Sequence, residues 1–161
     1  MSVHRQDGPE SRVAALGLQI PPAPVPLGQY VPFVSVSDLV FLSGMVPLVS
    51  GKPAYVGVIG SSLTVDEAAR AARLSALNAL SVLRAGAGSL DAIAGIVRLS
   101  VNLRTSAEFT EHPKVADAVS AIFNDVFGGH HTRMVFGVHS LPAGMCVELE
   151  VIAKLGTAPG G

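Results

Sequence analysis

Apolar positions recur along this chain with two periods, and each change of period marks a new element. Two apolar runs, residues 30–36 and 39–43, flank Ser37-Asp38 and predict a β-hairpin closed by a polar turn. Residues 45–62 are rich in Gly, Pro and Ser and read as loop, with one short strand at 54–58. The period then lengthens. Thr64-Val65-Asp66-Glu67 has the form of a capping box, in which a hydroxyl and a carboxylate satisfy free N–H groups at a helix start. Leu74, Leu77, Leu80 and Leu83, with Ala69, Ala72 and Ala76, follow at helical spacing, and Gly86 and Gly88 supply the stop. Alternation returns over 96–104: Val97, Leu99, Val101 and Leu103 on one side, Arg98, Ser100, Asn102 and Arg104 on the other. A second helix is predicted over 113–127, with Val115, Val119, Ile122, Phe123 and Val126 inward and Gly128-Gly129 as its end.

Two further strands, starting at Thr132 and Cys146, are predicted to pair through the turn Leu141-Pro142-Ala143-Gly144. In that register Met134, Phe136 and Val138 join the helix-covered face, and Arg133, His139, Glu148 and Glu150 share the bare one. The element order predicts an α+β, two-layer domain: a mixed β-sheet with two helices packed on one face. One domain is expected over residues 13–155, with frayed ends at 1–12 and 156–161. The proline-dense stretch 21–26 reads as an extended lead-in on the surface.

Composition narrows the setting. Charged residues are 14% of the chain, against roughly 25% in an average soluble domain. Either other subunits cover part of the surface, or the source has a compositional bias toward small apolar residues. The net charge of −1, with scattered basic residues, offers no footprint for nucleic acid. A single cysteine, Cys146, excludes an internal disulfide framework and suits a reducing cytoplasm. No segment has the length and apolarity of a membrane span, and no signal peptide is indicated.

The candidate chemistry lies in the last two strands. Arg133 presents a planar fork suited to a carboxylate, with Glu148 and Glu150 nearby in the expected register. Each residue also has a plainer use: Arg133 as partner of a glutamate across a subunit interface, Glu148 as partner of an arginine or Lys154. Tyr30 could pack at a sheet edge, and Ser43-Gly44 could let a strand bend. His130 and His131 point to opposite sides of an extended segment, which disfavours a shared metal ion. Cys146 reads as a small buried hydrophobe.

The segments Gly28-Gln29-Tyr30, Phe41-Leu42-Ser43-Gly44-Met45-Val46-Pro47, Thr132-Arg133 through Leu141-Pro142, and Val147-Glu148-Leu149-Glu150-Val151-Ile152-Ala153 together resemble the RidA/YjgF family. The resemblance spans about residues 12–155, and Thr110-Glu111-His112-Pro113-Lys114-Val115 is similar to a divergent YjgF-like branch. It implies a chorismate-mutase-like fold of the bacillus type and a homotrimer with clefts between subunits. It further implies hydrolytic deamination of 2-imino or 2-enamino acids, small carboxylate-bearing metabolites, without cofactor or metal. Arg133 would hold the carboxylate, Glu148 would help position water, and Tyr30, Ser43 and Gly44 would line the cleft. The chain departs from the family pattern at Val135, where a cysteine is common, and lacks the usual asparagine near Val115-Ala116-Asp117. Met134, Phe136 and the His130-His131 pair are further differences. These departures leave open a pathway-specific enzyme on the same scaffold or a non-catalytic metabolite-binding protein.

Overall fold

The computed structural model describes residues 8–157. In chain order its elements are α1 (Pro9–Ala15), β1 (Phe33–Val36), β2 (Leu39–Leu42), β3 (Leu48–Val49), β4 (Lys52–Pro53) and α2 (Val65–Ala87), then β5 (Ile93–Arg104), α3 (His112–Phe127), β6 (Thr132–Val138) and β7 (Val147–Leu155). Five strands form one mixed sheet in the order β1-β2-β7-β5-β6, and β3 and β4 make a separate ribbon. The short strand expected at 54–58 is absent; β3 and β4 lie just before it, and Val56 makes only an isolated bridge to Met145.

Local signals set both long helices. Thr64 and Glu67 form the reciprocal capping box, and Gly88 closes α2 in the left-handed conformation, at φ 83°. Gly86 is not the stop; it lies inside the helix, where a β-carbon would overlap the Phe33 ring. The buried face of α2 carries Ala68, Ala71, Ala72, Ala76 and Ala79, small side chains that admit a close approach, with Leu80 and Leu83 beyond them. Leu74 and Leu77 lie at the margin of this face. Val115, Val119, Ile122, Phe123 and Val126 bury α3 in the same hydrophobic cluster. The buried Asn78 donates to the carbonyls of Val46 and Leu48 at 2.9 and 3.2 Å, anchoring the ribbon to α2.

The predicted hairpin of the last two strands does not form, because β5 lies between them. It pairs parallel with β6 and antiparallel with β7. The connection 139–146 steps across one strand, a gap of about 10 Å that its length easily spans. Central placement lets the twelve-residue β5 bond along both edges and bury Leu99, Val101 and Leu103.

This insertion reverses the predicted face of β6. Leu99 is level with both Arg133 and Val151, and Asn102 with both Phe136 and Glu148. Residues level across neighbouring strands share a face. Arg133 therefore stands on the helix side, whereas Met134, Phe136, Glu148 and Glu150 stand on the bare side. Register shifts between Ile93/Gly95 and Ile96/Arg98 also turn Val97 outward, and Ile96 takes its expected place in the core.

The N-terminal segment expected to fray to residue 12 contains α1 instead, packed against α3. Glu10 accepts from Arg84 Nε at 3.0 Å and Nη2 at 2.6 Å, and from the Leu90 amide. The Arg84 hydrogen bond leads the effects that hold its carboxyl below the usual range. At the other end Gly156 donates to the Ala92 carbonyl at 2.8 Å. The remaining residues expected to fray, 1–7 and 158–161, lie outside the described chain. No helix among the described residues is long and apolar enough to cross a membrane.

Candidate functional site

Arg133 emerges near the start of β6, an edge strand, and leans against α3. Its Nη1 donates to Asp117 Oδ1 at 2.7 Å and to Ser120 Oγ at 3.0 Å. Asp117 and Ser120 are three residues apart on a helix, the spacing that puts two side chains on one face. The Asp117 side chain is 69% exposed, so this ion pair is worth at most about 1 kcal/mol. It aims the guanidinium more than it stabilises the fold. Both contacts use Nη1; Nε and Nη2 have no partner among the described residues.

Ser120 also meets His131, with Oγ 3.0 Å from Nε2. The half-buried His131 ring stands edge-on to Phe123 at a centroid distance of 6.3 Å. Burial, reinforced by the charge of Arg133 and by His130, holds the imidazole below its usual pKa. Ser120 Oγ accepts from Arg133 Nη1, and its own proton is free to be donated to a neutral ring whose Nε2 is the unprotonated nitrogen.

A second polar group collects on the bare face. The Glu148 carboxylate packs over Gly44, where a β-carbon would overlap it. Glycine is required here for space alone, since no left-handed backbone occurs at this position. Burial raises the Glu148 pKa, and no hydrogen bond to its carboxylate occurs among the described residues. Ser43 Oγ donates to the Val31 carbonyl at 2.7 Å. Tyr30 Oη accepts from the Leu27 amide at 3.2 Å, and the residue is 48% exposed. Tyr30 and Gly44 line one shallow cavity with Pro24, Pro26 and Met45.

The predicted site is thus divided. Tyr30, Ser43, Gly44 and Glu148 gather at the β2–β7 side, and Arg133 lies two strands away on the opposite face, with β5 between. The expectation that Arg133 and Glu148 share a face is overturned, because it rested on a hairpin that does not exist. Glu150 is exposed on the Glu148 face, level with Ser100. His139 lies beyond the end of β6. Burial pushes the Cys146 thiol up to about 11, the state of an inert small hydrophobe. Asp117, Ser120 and His131 are the residues that the sequence reading missed as partners of Arg133. The 117/120 spacing on the exposed side of α3 was the available signal.

Residues 10–155 match the family model described as "YjgF/chorismate_mutase-like, putative endoribonuclease". Protein TCP17 of Trypanosoma cruzi is 37% identical over 151 residues, which cover 89% of this chain and 94% of that protein. A crystal structure of a "putative endoribonuclease" from Shewanella oneidensis MR-1 is similar with a TM-score of 0.87 and 35% identity, over 92% of this chain and 99% of that one. Escherichia coli TdcF, solved with bound serine, is more distant, with a TM-score of 0.61 and 25% identity over 82% of this chain and 92% of its own. The sheet order, the helices on one face and a match running from α1 to the end of β7 agree: this chain belongs to the YjgF/chorismate-mutase-like family.

Proposed function

We propose that the protein is a hydrolytic deaminase of reactive 2-imino and 2-enamino acids, acting as a homotrimer in the cytoplasm. Each site joins Arg133 of one copy to Tyr30, Ser43, Gly44 and Glu148 of the next. The observation that carries this reading is the division of the polar groups onto opposite faces of one sheet. Each half has unused capacity: two guanidinium nitrogens on one side, a carboxylate without a hydrogen-bond partner on the other. A second copy brings such halves together, and head-to-tail contact closes into a ring. Exposed Val34, Phe41, Met134 and Phe136 on the bare face supply apolar area for that contact. Serine bound to TdcF supports a small carboxylate as the ligand class.

In this site the substrate carboxylate takes the Nε and Nη2 edge of Arg133, while Asp117 and Ser120 retain Nη1. The protonated C=N carbon is electrophilic without metal or organic cofactor, so the protein supplies orientation and charge stabilisation. Water adds to that carbon and Glu148 takes a proton from it. Glu148 passes that proton to the nitrogen and then takes the remaining hydroxyl proton as the C–N bond breaks, so that ammonia and a 2-oxo acid leave. An endoribonuclease function ranks lower in this reading, because a net charge of −1 with scattered basic residues suits a phosphate backbone poorly.

The test is a coupled assay in which a PLP-dependent dehydratase generates 2-aminoacrylate and pyruvate release is followed. The wild type should accelerate release over buffer, and Arg133→Ala should abolish the acceleration. Equal rates in buffer, wild type and variant would refute the deaminase. Pyruvate binding without turnover would leave a metabolite-binding protein.

A further inference from the structure

We propose that Ser120 and His131 are positioning residues for Arg133, forming an acid-sensitive relay that holds the guanidinium ready for a carboxylate. The proposal rests on the carboxylate-site reading above and adds its regulation. Two bonds of 3.0 Å through a single hydroxyl make the connection. A hydroxyl has one proton to give and lone pairs to receive with. While His131 Nε2 accepts that proton, the Ser120 oxygen is turned toward Arg133 Nη1. Nε and Nη2 then face outward as a fixed fork.

Protonation of His131 reverses the arrangement. Nε2 becomes a donor, so the Ser120 proton loses its acceptor and the hydroxyl must rotate, and a second positive charge sits one hydroxyl away from Arg133. The groups facing His131 make this a sensitive point. Arg133 and His130 come from its own segment, and Ser120 and Phe123 from α3, with Asp117 beyond Arg133. His131 also lines a cavity of about 220 Å³ with Ile96, Val97, Phe127 and Lys154. Apart from the exposed Asp117, which Arg133 already engages, none of these groups offers an anion to stabilise imidazolium. The cavity gives water and protons access to the ring.

His131 thus titrates below the usual imidazole range, and the relay is intact at neutral pH. Carboxylate affinity should fall as the medium is acidified through that point. Hydrogen bonds of this kind correspond to an affinity change of about three- to tenfold.

The first measurement needs no ligand. Nitrogen-15 NMR of His131 and of the Arg133 guanidinium is recorded between about pH 5 and 8, spanning the region where an imidazole changes charge. The expected result is an unprotonated Nε2 at neutral pH and Arg133 signals that move with the His131 titration. That movement should vanish in His131→Phe. Ser120→Ala, which removes a donor to the neutral ring, should raise the His131 midpoint. Arg133 signals indifferent to His131, or an unchanged midpoint in Ser120→Ala, would overturn the relay.

The second measurement is pyruvate binding by calorimetry. His131→Phe, Ser120→Ala and their combination should each weaken it about three- to tenfold, without adding to one another. His131→Gln, which restores an acceptor that does not titrate, should recover affinity and lose the acid limb. Losses that add, or a Gln variant as weak as Phe, would also overturn the relay. If pyruvate fails to bind the wild type, the carboxylate-site reading alone falls, and the NMR coupling still decides the relay.

Discussion

The Glu148 carboxylate lies directly against the Cα of Gly44, leaving no space there for a methyl group. The backbone cannot retreat, because Met45 and Leu149 exchange two hydrogen bonds of 2.8 Å beside it. The carboxylate, at the end of a flexible side chain, would move instead. Gly44→Ala should therefore leave the fold nearly as stable and lower the proposed turnover by about tenfold or more, one displaced catalytic group's worth. Thermal melts and the pyruvate assay on the same preparation check both halves.

Glu148 should also cost stability for the sake of its site. Its folded-state pKa is raised by burial, so its favourable contribution is full below the unfolded value and is lost as pH rises through the folded value. Glu148→Gln removes that ionisation. The variant should match the wild type in melting temperature under acid conditions and exceed it at neutral pH, while losing turnover. A variant less stable at neutral pH would contradict the sign.

If each site takes Arg133 from one copy and Glu148 from its neighbour, two inactive proteins can repair one another. Arg133→Ala and Glu148→Gln, unfolded and refolded together, should recover activity. Random mixing pairs an intact Arg133 with an intact Glu148 at about one interface in four, giving about a quarter of wild-type activity. No recovery in a mixture shown to contain hybrid trimers would exclude the shared site.

Phe136 and Met134 are 46% and 41% exposed on the bare face, level with Asn102 and Ser100. A carboxylate placed there would have to be buried in any assembly that covers this face. Phe136→Asp should give folded monomers by sedimentation, with an unchanged far-ultraviolet spectrum. A trimer that persists would place the interface elsewhere.

Thr64 accepts from the Glu67 amide at 3.2 Å, and its own amide donates to Glu67 at 2.8 Å. Thr64→Ala should cost about 1 kcal/mol and lower the melting temperature by about 2–4 °C, as thermal melts of the variant would measure.

Much of the fold was legible because its signals are local. The capping box at Thr64, the turn at Ser37-Asp38, and the buried positions of α3 depend on neighbours within a few residues, and each appears where the pattern placed it. Asp117 and Ser120 were harder to find. Their spacing puts them on one exposed side of α3, but nothing in their own segment names Arg133 as the partner until β6 is laid beside that helix.

Alternation by itself determined that Arg133 must share a side of its strand with Val135, and Glu148 a side with Glu150. Which side of the sheet each strand presents was decided only by tertiary structure. β5 carries enough apolar surface to be favoured as the central strand, and its insertion between β6 and β7 sets two registers at once. The side chains of a strand alternate with a period of two, so the choice of neighbour moves every one of them together. That choice sent Arg133 to α3 and left Glu148 on the open face, which is why the proposed site needs a second copy to join its two halves.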